Sequence, residues 1–356
     1  MNKRLALAMI GGAGALAIAF AVFGTDGLEG IANVGENGGE KSSLTEAENK
    51  FPLVQKINLP NVSGRIDHMD IDTAGGRLFV AEIENNSVDV IDLKTGQRIH
   101  AIGGLSEPQG VIFVPDSRRL FVSNGGDGTV QVFNSDTFGL VKTVNLSSDA
   151  DNMRYDPIQK IVYVGYGNGA IGMIDAANGT LLGSIELGGH PESFQVSDEL
   201  SKMFVNVPED DSIAVIDLQK RSVIDRWQNS GAHGNYPMAL NEDLGALFVG
   251  YREPPQLYVM DANSGKTITK LDIAKDPDDV FYDKARNQIY ISAGDGFVYV
   301  VSNSSDDKYS VVSKIPTGIG ARTSLFVPQL NDLFVAVPDY GGQQAQIDVF
   351  QVSKIK

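Results

Sequence analysis

The chain has 356 residues, 45 acidic against 29 basic, four histidines, no cysteine and 42% hydrophobic residues. Such a composition can build a large core. The lack of cysteine excludes disulfides, thiolate metal sites, a cysteine nucleophile, the C-x-x-C-H attachment of haem c and a lipid-modified cysteine. A formal net charge of −16 makes nucleic acid an unfavourable partner.

At the N-terminus, Lys3 and Arg4 precede Leu5 to Phe23, a run of 19 uncharged and mostly apolar residues. Residues 1–24 therefore read as a signal peptide with cleavage near Ala19-Phe20-Ala21, or as a retained membrane anchor spanning with residues 5–23. Both readings export the rest of the chain to the periplasm, the extracellular space or the cell surface. Residues 25–50 are rich in Gly, Asn and Glu and read as a flexible linker. The body, 51–356, has 25 basic and 39 acidic residues, a net charge of −14.

Within the body one pattern returns seven times, an aromatic inside a β-branched or aliphatic run, at Phe79, Phe121, Tyr163, Phe204, Phe248, Tyr290 and Phe334. Successive aromatics lie 41 to 44 residues apart, a period that predicts an all-β, seven-bladed β-propeller of four-stranded blades. The second repeat shows the four strands: Val111–Val114, Arg119–Ser123, Thr129–Phe133 and Leu140–Leu146, with an Asp-Gly hairpin signal between the second and third. Phe51 to Leu59 resembles a fourth strand standing before the first complete repeat, while the last repeat stops after its third strand, at Ile347 to Val352. The N-terminal strand is therefore expected to complete the last blade and leave no open sheet edge. Asp92, Asp175, Asp217 and Asp261 recur at the end of third strands, where a carboxylate caps turn backbone rather than binding metal. Five N-x-S/T sequons, at Asn61, Asn85, Asn145, Asn178 and Asn303, also fall near expected turns.

Segments such as Ser87-Val88-Asp89-Val90-Ile91-Asp92-Leu93-Lys94-Thr95-Gly96 and Gly188-Gly189-His190-Pro191-Glu192 resemble the YVTN-type propeller repeats of exported bacterial and archaeal proteins. The resemblance covers 51–356 and implies the fold; that family includes binding, scaffold and enzymatic members, so it implies no single activity. The namesake tetrapeptide is altered in every repeat, Phe121-Val122-Ser123-Asn124 being nearest.

Twelve residues before each aromatic, just ahead of the expected first strand, stand Asp67, Gln109, Asp151, Glu192, Tyr236, Asp278 and Arg322; one step later come His68, Gly110, Asn152, Ser193, Pro237, Asp279 and Thr323. First strands are innermost in a propeller, so these residues are expected to ring one mouth of the central channel. Converging oxygen donors suit a hard cation, which makes Asp67, Asp151, Asn152, Glu192, Asp278 and Asp279 candidate ligands for Ca²⁺ or another divalent ion. His68, His190 and His233 belong to the same approach and favour a transition metal. Tyr236 and Arg322, with His190 and His233, are candidate contacts for a small-molecule ligand, Arg322 either pairing Asp278 or gripping an anion. The competing reading is a hydrated channel mouth with no ligand.

Two functional classes stay open: a binding or interaction module for a small ligand or protein partner, and a metal-dependent hydrolase of the lactonase or esterase kind with His68 as base. Quinone-dependent dehydrogenases carry repeated tryptophan motifs, so the single Trp227 speaks against PQQ. No G-x-S-x-G elbow is present. Residues 228–237 and 338–346 are longer than their counterparts in other repeats, a feature of partner or substrate faces. Closed blades demand no homo-oligomer, so a monomeric propeller is expected, touching membrane only through its N-terminal segment.

Overall fold

A computed structural model describes residues 51–229, 231–304 and 308–353. Residues 1–50 lie outside the described residues, and with them the signal-peptide, anchor and linker expectations. Among the described residues no helix is long and apolar enough to cross a membrane.

The body is a seven-bladed β-propeller, seven antiparallel sheets of four strands each. The innermost strands of blades 1 to 7 are Ile66–Asp72, Pro108–Val114, Ala150–Asp156, Phe194–Ser197, His233–Asn241, Pro277–Asp283 and Ser324–Val327. Each runs away from the channel mouth. The second strand returns, the third descends again and the fourth comes back, so the connections between strands alternate between a mouth end and a far end.

Closure follows the expected route. Leu53–Asn58 is the outermost strand of blade 7, paired antiparallel with Gln346–Gln351 from Leu53 opposite Phe350 to Asn58 opposite Gln346. Phe51, Ile57 and Leu59 are buried in this join.

The seven repeat aromatics are each no more than 2% exposed. They belong to separate apolar clusters, each shared by two adjacent blades: Phe121 with Val162, Val164 and Ile174 between blades 2 and 3, for example. Ladder hydrogen bonds hold each blade, and apolar burial holds blade to blade at about 25 cal/mol per Å². The third-strand aspartates cap their turns as expected: Asp92 Oδ1 accepts from Thr95 N at 2.7 Å, and Asp175 Oδ1 accepts from Ala177 N and Asn178 N, each at 2.9 Å.

One correction bears on the site. The ring residues lie within the innermost strands of blades 1, 2, 3, 5 and 6, at β-bulges, and not ahead of them. In blade 3, Ala150 pairs with Tyr166 and Met153 with Val164, so three steps on one strand face two on its neighbour. The same shift falls between Ile66 and Met69, Pro108 and Val111, Asn235 and Met238, and Pro277 and Asp279. A bulge breaks the strict alternation of side chains and re-aims them. Consecutive residues such as Asp67 and His68, or Asp151 and Asn152, therefore both line the channel.

Candidate functional site

Residues from all seven blades enclose a cavity of about 290 Å³ at the channel mouth. Asp67, His68, Asp151, Asn152, His190, Glu192, Tyr236, Asp278 and Arg322 all line it, as expected; Arg65, Asp149 and Arg252 join them. Two expected residues are elsewhere. His233 is an exposed rim residue whose Nδ1 lies 2.6 Å from Asp211 Oδ2. Asp279 faces a second cavity, about 340 Å³, deeper in the channel, where its carboxylate accepts from Ser324 N at 2.7 Å. The bulge in blade 6 places Asp278 at the mouth and Asp279 below it.

The mouth is divided by charge. On the side of blades 5 to 7 and 1, carboxylates and guanidinium groups cancel. Asp278 meets Arg252, and its Oδ2 lies 3.2 Å from Arg322 Nε. Asp276 bridges the same two arginines at 3.1 Å each. Arg252 also stacks over the Tyr236 ring, 3.6 Å from its centroid, so that aromatic face is taken. Arg65 lies 3.2 Å from Asp67 Oδ2. Burial raises the pKa of Asp67 to about 6 against the pull of Arg65 and Arg322, and raises that of Asp278 against Arg322 and Arg252.

On the side of blades 3 and 4, among the described residues, no arginine forms an ion pair with Asp151 or Glu192, and Arg252 acts on Glu192 only at longer range. Donor atoms of Asp151, His190 and Glu192 lie within 4.8 Å of one another. Burial, then repulsion from Glu192 and Asp67, pushes the Asp151 carboxyl well above the usual carboxylate range. Burial raises Glu192 to about 7, with His190 pulling the other way. His190 Nδ1 lies 2.7 Å from the Gly167 carbonyl and 3.7 Å from Asp149 Oδ2. Both neighbours only accept, so Nδ1 donates, the kind of hydrogen bond that orients metal-binding histidines. Asn152, 5% exposed, adds a buried Oδ1 with no hydrogen-bond partner. His68 Nε2 stands 4.0 Å from Asp151 Oδ1. Burial, reinforced by Arg154, lowers its pKa to about 4, so its imidazole is neutral.

The tertiary structure thus sorts the six expected metal ligands. Asp151, Asn152 and Glu192 stand with His190 on the side without arginine ion pairs among the described residues; Asp67 and Asp278 are tied to arginines, and Asp279 to a backbone amide. Beyond His190 and Glu192 the mouth opens into a groove of about 400 Å³ over blades 3 to 5, lined also by Asn168, Glu209 and Gly234.

Two signals in the repeats would have revealed the residues missed. Fourteen steps before each aromatic stand Arg65, Glu107, Asp149, His190, Gly234, Asp276 and Gly320, a third ring at the mouth end, six of its members in the connections just ahead of the innermost strands. Four steps after each aromatic stand Ile83, Gly125, Gly167, Pro208, Arg252, Gly294 and Pro338. Arg252 is the outlier in that column. Deeper still, Asp70, Ile112, Arg154, Gln195, Ala239, Phe281 and Leu325 line the inner cavity, where Arg154 donates to Met153 O at 2.7 Å and to Ser193 Oγ at 3.1 Å.

No family model matches the chain. Over 126 residues, 35% of this chain, it is 25% identical to the uncharacterized protein YncE of Salmonella typhimurium and 24% identical to that of Salmonella typhi. The matched stretch spans 35% of each relative's length. Among solved structures, a chain of Kuenenia stuttgartiensis hydrazine synthase superposes with a TM-score of 0.72 at 16% identity, over 83% of this chain and 98% of that one. A chain of the mitotic checkpoint complex superposes with 0.73 at 15% identity, over 95% and 100%. At such identities the likeness carries architecture alone. The chain is a seven-bladed β-propeller with low-identity likeness to the YncE proteins.

Proposed function

We propose that this chain is an exported binding module whose channel mouth holds a divalent cation between blades 3 and 4. The observation that carries the reading is the donor group of Asp151, Glu192 and His190, within 4.8 Å of one another and, among the described residues, outside the arginine ion pairs of the mouth, beside the unpartnered Oδ1 of Asn152. Carboxylates this close, one buried and one half-buried, repel each other, and a proton or a cation beside them relieves that repulsion. An imidazole nitrogen among oxygen donors fits a first-row transition ion better than Ca²⁺, which takes six to eight oxygens. The propeller fold supports an interaction module in general, and the groove beside His190 is where a small ligand or protein partner would reach the ion. Assignment to YVTN-type repeats, export through residues 1–24 and a monomeric body belong to the same reading and rest on the sequence.

The hydrolase reading uses the same mouth but has less behind it. A histidine whose conjugate acid has a pKa of about 4 is a weak base, and His68 has no hydrogen-bonded carboxylate to orient it, Asp151 standing 4.0 Å away.

The test is metal content. The full chain, stripped with a chelator and dialysed against Mn²⁺, Zn²⁺ or Ca²⁺ singly, should take up a single ion per chain. Glu192→Gln and Asp151→Asn should each weaken binding at least about tenfold, while Glu107→Gln, an exposed acid outside the cavity, should not. Absence of a bound ion, or full affinity in both site variants, would reject the proposal. Metal-dependent turnover of a lactone or ester, lost in His68→Gln, would put the hydrolase reading in its place.

A further inference from the structure

The two ends of the propeller differ in chemistry. Among the described residues, strand connections at the mouth end contain eleven acidic and three basic residues, and those at the far end six acidic and nine basic. The large negative charge of the body is therefore concentrated around the mouth, and the far end is close to balance.

Apolar exposure is distributed the opposite way. Among the described residues fourteen large hydrophobic residues are exposed, of which Ile319 and Tyr340 stand at the mouth end. The other twelve occupy the far end. Leu140, Leu182, Ile224 and Ile268 represent those near the beginnings of outermost strands, while Ile158, Leu244 and Leu330 sit in turns between first and second strands. All twelve are Leu, Ile or Val. Protein-binding hot spots favour Trp, Tyr and Arg gathered near one centre. Here the side chains are aliphatic and spread over six of the seven blades, blade 6 contributing none among the described residues, and are interspersed with exposed basic residues such as Lys94, Lys220, Arg221 and Lys266. Aliphatic groups with flanking cations suit the boundary between headgroups and acyl chains.

A third observation points the same way. The described chain begins at Phe51, and Leu53 pairs with Phe350 at the far end of blade 7. The described chain thus enters the propeller at the end that carries the aliphatic residues, and in sequence the apolar run Leu5 to Phe23 precedes that entry.

We propose that the far end of the propeller is a lipid-facing surface, with the acidic channel mouth directed away from the bilayer. The surface acts through shallow contacts, since the gain from each aliphatic side chain scales with the area it buries and these are partly covered already. Its role is orientation. Anionic lipid repels the mouth end and tolerates the far end. The proposal does not depend on a cation at the mouth.

The chain contains no cysteine, so single introduced cysteines report without background. Full chain carrying a polarity-sensitive dye at Leu244→Cys, Leu182→Cys, Ile319→Cys or Tyr340→Cys would be reconstituted with phosphatidylethanolamine–phosphatidylglycerol vesicles. The two far-end probes should shift to the blue and lose most of their emission to nitroxide-labelled lipid, and the two mouth-end probes should do neither. The proposal is overturned if far-end probes stay as exposed to solvent as mouth-end ones, or if mouth-end probes are quenched. It is equally overturned if far-end shielding appears without lipid, which would make that end a protein interface. A second variant set, Ile158→Ser, Leu244→Ser and Leu330→Ser together, lies in exposed turns and should leave folding intact while restoring water access to the Leu182→Cys probe.

Discussion

Glu82, wholly buried in the second strand of blade 1, shows how a single carboxyl can couple this fold to pH. Its Oε2 accepts from Ser87 Oγ at 2.7 Å, its Oε1 has no hydrogen-bond partner, and Asp89, paired with Arg98, stands nearby. Burial, then repulsion from Asp89, raises the Glu82 pKa from 4.5 to about 8. A carboxyl raised on folding keeps a proton that the unfolded chain releases, so stability falls as pH rises through this window and is recovered below it. Glu82→Gln should therefore flatten the wild-type decline in unfolding free energy between about pH 4.5 and about pH 8, by an amount on the order of a few kcal/mol. Urea titrations of both proteins across that range check it, and parallel profiles would refute it. The same scale governs the mouth, where among the described residues Asp151 and Glu192 form no ion pair with an arginine, whereas Asp67 and Asp278 are paired by Arg65, Arg252 and Arg322.

Elements are tuned by turns as much as by strands. Gly265 has φ +70° in a turn of blade 5, and a Cβ added there would lie 2.3 Å from the Trp227 ring of blade 4. Both the left-handed backbone and the close approach exclude a side chain. Gly265→Ala should cost roughly 1–3 kcal/mol and change the emission of Trp227, the sole tryptophan, which fluorescence-monitored unfolding would register. The turn-capping aspartates were legible in the sequence because their geometry is local: carboxylate and amide lie two or three residues apart. Bulges were not, because a register shift exists only relative to a partner strand, and moving the ring from ahead of the strand to within it depended on that partner.

Closure belongs to the whole molecule. A chain starting at residue 61 should lose the burial of Phe51, Ile57 and Leu59, roughly 5–9 kcal/mol at full-burial values, and uncover the edge of the last blade. That is of the order of a domain's entire stability, so thermal unfolding should move to far lower temperature or the chain should fail to fold. A chain starting at residue 51 should unfold like the full one; equal stability of the two truncations would contradict the closure argument. The charge difference between the two ends is likewise a property of the closed ring, since strand connections alternate between ends along the chain and composition averages over both.

Blade number, strand order and terminal closure were determined by the sequence itself, because a period of 41 to 44 residues and alternating apolar strands leave one way to bury every blade face. It also brought the mouth residues into a single column, since equivalent positions in successive blades meet at the channel. Which of them retain free donor atoms was decided only in three dimensions. Arg252 and Arg322 reach Asp278 from neighbouring blades, the bulge in blade 6 separates Asp278 from Asp279, and Asp151, Glu192 and His190 are left together. Pairing and desolvation act across distances of a few ångströms between residues tens of positions apart, and only the folded chain brings those distances into being.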